Sequence, residues 1–197
     1  MKKKMAALNV VMLLLFSLPV YAGPPMDAVQ TNVNKVLEVL RDPKLKAAAA
    51  KEMRKETLRH IYERMFDDVE LSKRTLGRNW NSLNTAQRQE FVVLFEQVLE
   101  KAYIDRILAY TDEKIIFTRE TMVSDTQAEI QTKVITSSKE IPISYRALLK
   151  NGRWKVYDVV IENVSLVLNY RTQFNDILVK NTPDQLIEIL RKKVKGH

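Results

Sequence analysis

The chain has 197 residues, a formal net charge of +8, four glycines and no cysteine. Without cysteine there is no disulfide, no thiolate metal site and no lipidated cysteine, and four glycines leave no room for a Gly-rich phosphate loop. No cluster of interleaved basic and aromatic residues accompanies the charge, so the expected partners are anionic lipid head groups or acidic protein surfaces rather than nucleic acid.

Lys2, Lys3 and Lys4 precede an apolar run through Leu18 that ends in Val20, Tyr21 and Ala22, with small residues where a signal peptidase reads. Residues 1–22 therefore read as a signal peptide and 23–197 as a single domain. That domain carries +5 once the three lysines are removed. The apolar run is short for a membrane span and is interrupted by Asn9, Ser17 and Pro19, which predicts a protein exported free into an oxidising space.

A first helix is predicted over Pro25–Asp42, with Met26, Val29, Val33, Val36, Leu37 and Leu40 on one face and Pro43 as its stop. A second is expected over Leu45–Phe66, using Leu45, Ala49, Met53, Leu58, Ile61 and Met65, with the alanines 47–50 packed closely. Asp67 or Asp68 caps a short third helix ending at Gly77. Asn84 and Gln87 form a capping box for a long helix to about Tyr110, whose inner face includes Phe91, Leu94, Phe95, Val98, Ala102, Tyr103 and Ile107.

Beyond Asp112 the period changes to two. Strands are predicted over Lys114–Arg119, Gln127–Ser137, Ile141–Lys150 and Arg153–Ile161, the last two joined by a type I′ turn at Asn151-Gly152. Ile141, Ile143, Tyr145, Ala147 and Leu149 share one face, and Trp154, Val156 and Val160 alternate with Lys155, Tyr157 and Val159. Ser165 caps a helix carrying Val167, Leu168, Tyr170, Phe174, Ile177 and Leu178 along one stripe. Thr182, Pro183 and Gln185 open a last helix. The fold class is α+β: a twisted antiparallel sheet of about four strands against a helical layer.

Three blocks taken together resemble the MlaC family: Arg74 to Trp80; Gln87, Arg88 and Phe91 running to Tyr103; and Val156 to Val159 followed by Val164 to Arg171 and Phe174. One departure is visible, where Asn84-Thr85-Ala86 replaces the family's usual Ser/Thr-Pro-Glu at the start of the long helix. The resemblance implies a periplasmic phospholipid carrier of NTF2-like fold with an apolar lipid cavity between sheet and helices. It further implies that the carrier shuttles lipid between an outer-membrane lipoprotein–porin complex and an inner-membrane MCE-domain ABC transporter complex, and so maintains outer-membrane lipid asymmetry. It implies a monomer with no catalysis and no cofactor beyond the lipid cargo.

Two acyl chains hold roughly 28 methylenes, whose exposure to water would cost on the order of 20 kcal/mol, so the site must be deep and apolar. The residues offered for its wall are Leu94, Phe95, Leu99, Tyr103, Ile143, Tyr145, Ala147, Trp154, Val156, Val167, Tyr170 and Phe174, with Arg171 for the head group. From the residues alone the same stripes read first as ordinary core, and Arg171 as a surface partner of Asp176 or Glu162; the resemblance is what draws them toward a cavity.

Among enzyme readings only Asp158 has a case, as a base in an isomerase or dehydratase, because alternation places it on the face of Trp154 and Val156. The blander reading, which the lack of a converging second acid or oxyanion donor favours, is that it caps the strand exit or pairs with an arginine. His60 and His197 have no neighbours that would make either a base or a metal ligand. A non-lipid periplasmic adaptor is the remaining possibility.

Overall fold

The computed structural model describes residues 23–110 and 113–196; the expected signal peptide and His197 lie outside them. Helix α1, Pro24–Arg41, has prolines at its first two positions, where the missing N–H costs nothing, and buries Met26, Val29, Val33, Leu37 and Leu40. Asp42 accepts the N–H of Lys44 at 2.8 Å and opens a short α2, Pro43–Lys46.

The expected single helix over Leu45–Phe66 is broken. Ala47 is extended, a 3-10 turn spans Ala48–Ala50, and α3 begins only at Lys51 and runs to Met65. No residue of α2 or of the alanine turn is buried, and Met53 is 63% exposed. Without an apolar face to bury, nothing rewards a continuous helix there. Leu58, Ile61 and Met65 give α3 its packed face.

Asp67 caps α4, Asp68–Leu76, accepting the Glu70 N–H at 2.9 Å. Gly77, at φ +56°, turns the chain into a 3-10 segment ending at Ser82. The capping box of Asn84 and Gln87 opens α5, Thr85–Leu108, which buries Phe91, Phe95, Val98 and Leu99; Ile107, expected on that inner face, is 40% exposed.

The sheet is an antiparallel meander of five strands in sequence order: β1 Lys114–Ser124, β2 Gln127–Ile135, β3 Glu140–Lys150, β4 Arg153–Ile161 and the two-residue β5 Val164–Ser165. Asn151 and Gly152 have φ of 51° and 74°, as a type I′ hairpin turn needs. A second two-residue turn at Glu162-Asn163, also at positive φ, leads into β5. Ser165 then accepts the Leu168 N–H at 3.0 Å and caps α6, Leu166–Leu178. Helix α7, Pro183–Lys195, opens on the Thr182–Gln185 capping box.

One irregularity controls the site. Arg146 pairs with Asp158 but Ala147 pairs with Val156, so Tyr157 is an extra residue in β4. A bulge of this kind reverses the facing of everything beyond it. Asp158 therefore leaves the Val156 face and stands opposite Arg146, which corrects the strict alternation. Val159, not Val160, joins Tyr145 over the sheet core.

Candidate functional site

Two apolar clusters organise the molecule. One is helical: Leu71, Leu76, Phe91, Phe95, Val98, Leu99, Val167, Tyr170, Phe174, Leu186 and Leu190. Its aromatic centre packs edge-on, with ring centroids 4.9 Å apart for Phe95 and Tyr170 and 5.3 Å for Phe95 and Phe174. Such pairs add about 0.5–1.5 kcal/mol each beyond burial. The other lies between α1, the end of α3 and one sheet face, and holds Met26, Val29, Val33, Leu37, Met65, Ala128, Ile130, Ala147 and Val156. Phe66 touches both clusters.

The wall residues read from the sequence are divided between these bodies. Phe95, Leu99, Val167, Tyr170 and Phe174 are buried in the helical cluster, with Leu94 and Tyr103 packed at its border. Ala147 and Val156 belong to the sheet cluster, with Tyr145 and Trp154 at its border. Ile143 is half-buried towards the far end of β3, and its carbonyl accepts the Thr132 hydroxyl at 2.9 Å. Burial pushes the Tyr145 phenol up to about 12, offset in part by a hydrogen bond with Thr132, and it raises Tyr170 as well, with Tyr103 adding to the shift.

Where β4 meets α6, Asp158 is 1% exposed and accepts three hydrogen bonds. They come from the Ser165 hydroxyl at 2.6 Å, the Val167 N–H at 3.0 Å and Arg146 Nη1 at 3.2 Å. Asp158 thus both caps the exit and pairs with an arginine. Because these structural donors occupy its oxygens, no apolar-cavity base is formed there.

Arg146, Asp158 and Val167 line a cleft of about 340 Å³ together with Arg74, Glu129, Tyr157, Leu168 and Arg171. The Arg74 guanidinium lies 3.9 Å from the Tyr157 ring centroid. Arg171 donates through Nε at 2.9 Å and Nη2 at 2.5 Å to the Arg74 carbonyl, so it reaches the end of α4 rather than Asp176 or Glu162. The exposed side chain of Val123 also lines the cleft. Arg74, Arg146 and Glu129 were not among the site residues read from the sequence, because what assembles them is the bulge and the α4–α6 packing.

A second polar group surrounds the phenol of Tyr62, which stacks on Phe66 with centroids 4.5 Å apart and donates to Asp68. Burial raises Tyr62 above its usual range, and Asp68 adds to it. Asp68 is itself raised by burial, opposed by the Tyr62 hydrogen bond, and Glu96 is raised by burial and by Asp68. Among the described residues no group of acidic or histidine side chains could hold a metal ion, and no helix is long and apolar enough to cross a membrane.

Together the fold and site define a single-sheet α+β protein whose helical core and sheet core meet at one phenylalanine, beside a cleft lined by three arginines. The chain belongs to the MlaC family: residues 30–192 match the family described as MlaC protein. A phospholipid-binding protein from Ralstonia solanacearum, solved in complex with a phospholipid, has the same fold, with a TM-score of 0.80 at 20% identity over 88% of this chain and 98% of that one. The intermembrane phospholipid transport system binding protein MlaC of Haemophilus influenzae is 29% identical over 119 residues, 58% of this chain and 56% of that protein. The toluene tolerance protein ttg2D of Pseudomonas putida is 25% identical over 85% of this chain and 79% of its own length. The matched stretch thus spans little more than half of the first of these relatives and about four fifths of the second.

Proposed function

We propose that this protein is a periplasmic phospholipid carrier that takes lipid from one membrane complex and delivers it to another, with an outer-membrane lipoprotein–porin complex and an inner-membrane MCE-domain ABC transporter as its stations and outer-membrane lipid asymmetry as the outcome. Membership of the MlaC family carries the reading. The Haemophilus relative is named for intermembrane phospholipid transport, and the Ralstonia neighbour holds a phospholipid.

The division into two apolar bodies fits the task. A cleft of about 340 Å³ is at the lower end of ligand pockets, so a diacyl lipid enters by parting the sheet core from the helical core along Phe66. Chains in that seam would touch Tyr145, Ala147, Trp154 and Val156 on one side and Phe95, Leu99, Val167 and Tyr170 on the other, with Arg171, Arg74 and Arg146 near the phosphate. A lipid coming from a bilayer is already out of water, so its transfer is nearly balanced and the carrier itself needs no chemical energy source.

Catalysis has no part in this reading, since Asp158 is committed to Ser165, Val167 and Arg146. Mass spectrometry of an organic extract, from folded protein purified without detergent, tests the proposal. Diacyl phospholipid in about equimolar amount is expected; its absence would favour a lipid-free adaptor and overturn the carrier reading.

A further inference from the structure

The surface carries a second concavity that shares no residue with the arginine-lined cleft. It is a groove of about 410 Å³ whose walls are α1, the last turn of α3 and the start of β4, and four of its lining residues are cationic: Lys35, Arg64, Arg153 and Lys155. Asp27 is its one acidic lining residue, and Ala28, Thr31 and Asn32 complete it. Lys155 is already engaged, donating to the carbonyls of Glu63 at 3.0 Å and Arg64 at 2.6 Å, so it satisfies the end of α3 and holds the groove's shape. Among the described residues, Lys35, Arg64 and Arg153 make no ion pair with a carboxylate. All three are exposed, so each is available to a ligand.

We propose that this groove docks an acidic, carboxylate-rich segment of a partner protein. The inference does not rest on the lipid reading of the other cleft. Its shape and lining favour a protein over a bilayer. A bilayer surface meets protruding side chains and is held by apolar or aromatic residues as well as by charge, and among the described residues none of the large exposed hydrophobic side chains lines this groove. Those on β1, β5 and the start of α6, Met122, Val123, Val164 and Leu168, lie elsewhere. An extended acidic peptide, by contrast, can present carboxylates to Arg64 and Arg153, whose planar forks can each donate two parallel N–H bonds to one carboxylate, while Thr31 offers a hydroxyl to its backbone. Three such cations at an exposed site raise the encounter rate more than they hold the complex.

The test is titration of the full chain with a hexaglutamate peptide, about 20 Å long when extended, followed by backbone amide shifts in NMR at low ionic strength. Shifts are expected at the groove, and Lys35→Glu with Arg153→Glu should weaken binding by about tenfold or more. Both side chains are exposed, so an unchanged melting temperature serves as the folding control. A charge-matched variant, Lys192→Glu with Lys193→Glu in α7, should keep the affinity. Equal weakening in both variants would mean that net charge alone attracts the peptide, and would overturn the proposal. So would absence of peptide binding alongside sedimentation with phosphatidylglycerol–phosphatidylcholine vesicles that the groove variant abolishes, since the occupant would then be a membrane.

Discussion

The Asp158 carboxylate accepts the Val167 N–H at 3.0 Å, and so one side chain in β4 holds the first turn of the helix that closes the helical core. The Ser165 hydroxyl lies between them in sequence, donating to Asp158 at 2.6 Å and accepting from Leu168 at 3.0 Å. The strand-to-helix exit is thereby fixed by a chain of hydrogen bonds through two buried side chains. Exchanging Asp158 for alanine would strand two buried donors, the Ser165 hydroxyl and the Val167 N–H, and among the described residues would leave the half-buried Arg146 with Glu129, at 3.5 Å, as its acidic partner.

Asp158→Ala is therefore expected to cost about 3–5 kcal/mol of folding stability, and Asp158→Asn somewhat less, because the amide keeps an acceptor for Val167 but turns donors toward Ser165 or Arg146. Urea denaturation measures both. A loss below about 1 kcal/mol for the alanine variant would show that the carboxylate does not hold the exit.

Charge introduced into the proposed seam should separate lipid retention from folding. Val156→Asp, at a site 1% exposed, is expected to abolish phospholipid in the extract, and Ile143→Asp to reduce it, whereas Arg119→Asp on the exposed edge strand should leave it unchanged. Lys155 makes a poor control for such a series, since its ammonium group caps α3. Circular dichroism of each variant distinguishes loss of lipid from loss of fold.

What the sequence made legible was local. The capping boxes at Asn84–Gln87 and Thr182–Gln185 and the turn at Asn151-Gly152 each depend on residues within three positions of one another, and each is present. The bulge at Tyr157 depends on which residues of β3 lie opposite, so alternation misplaced Asp158 and chose Val160 over Val159. The Glu162-Asn163 turn has no glycine to announce it. At the site, helical spacing identified Phe95, Tyr170 and Phe174 as buried, but spacing along one element cannot tell which core a face enters. That is how the wall residues came to be divided between two bodies.

Acidity should stabilise the junction at Tyr62. Burial raises the carboxyl groups of Asp68 and Glu96 above their ordinary values of 3.8 and 4.5, so between those values and the raised ones the folded state binds more protons than the unfolded. The contribution is fully present below the ordinary range and is lost as pH rises through the folded values. Asp68→Asn keeps an acceptor for Tyr62 and removes one of the two titrations, so its stability should fall less steeply than that of the parent from about pH 4 upward. Parallel slopes in denaturation at a series of pH values would exclude a contribution from Asp68.

Arg54 in α3 offers the opposite kind of variant. Its Nε is buried with no hydrogen-bond partner among the described residues. Methionine keeps much of the apolar stem and removes the unsatisfied donor, so Arg54→Met is expected to raise stability by about 1 kcal/mol. Chemical denaturation of the pair decides it, and a decrease would mean that the exposed part of the guanidinium makes the larger contribution.

The start of α1 is tied to the sheet through Glu120, which accepts the Met26 N–H at 2.7 Å and supplies the cap that Gly23, having no side chain, cannot. A Cβ on Gly23 would lie 2.0 Å from Glu120 Oε1 and 2.8 Å from its carboxyl carbon, so Gly23→Ala forces the carboxylate away and breaks the cap. The expected cost is about 1 kcal/mol, the usual worth of an N-cap. Glu120→Ala should cost about the same by removing the acceptor outright, and the double variant should cost little more than either single one, because each removes the same bond. Denaturation of the three variants completes the cycle: additive losses would show that Gly23 is required for a reason other than the approach of Glu120.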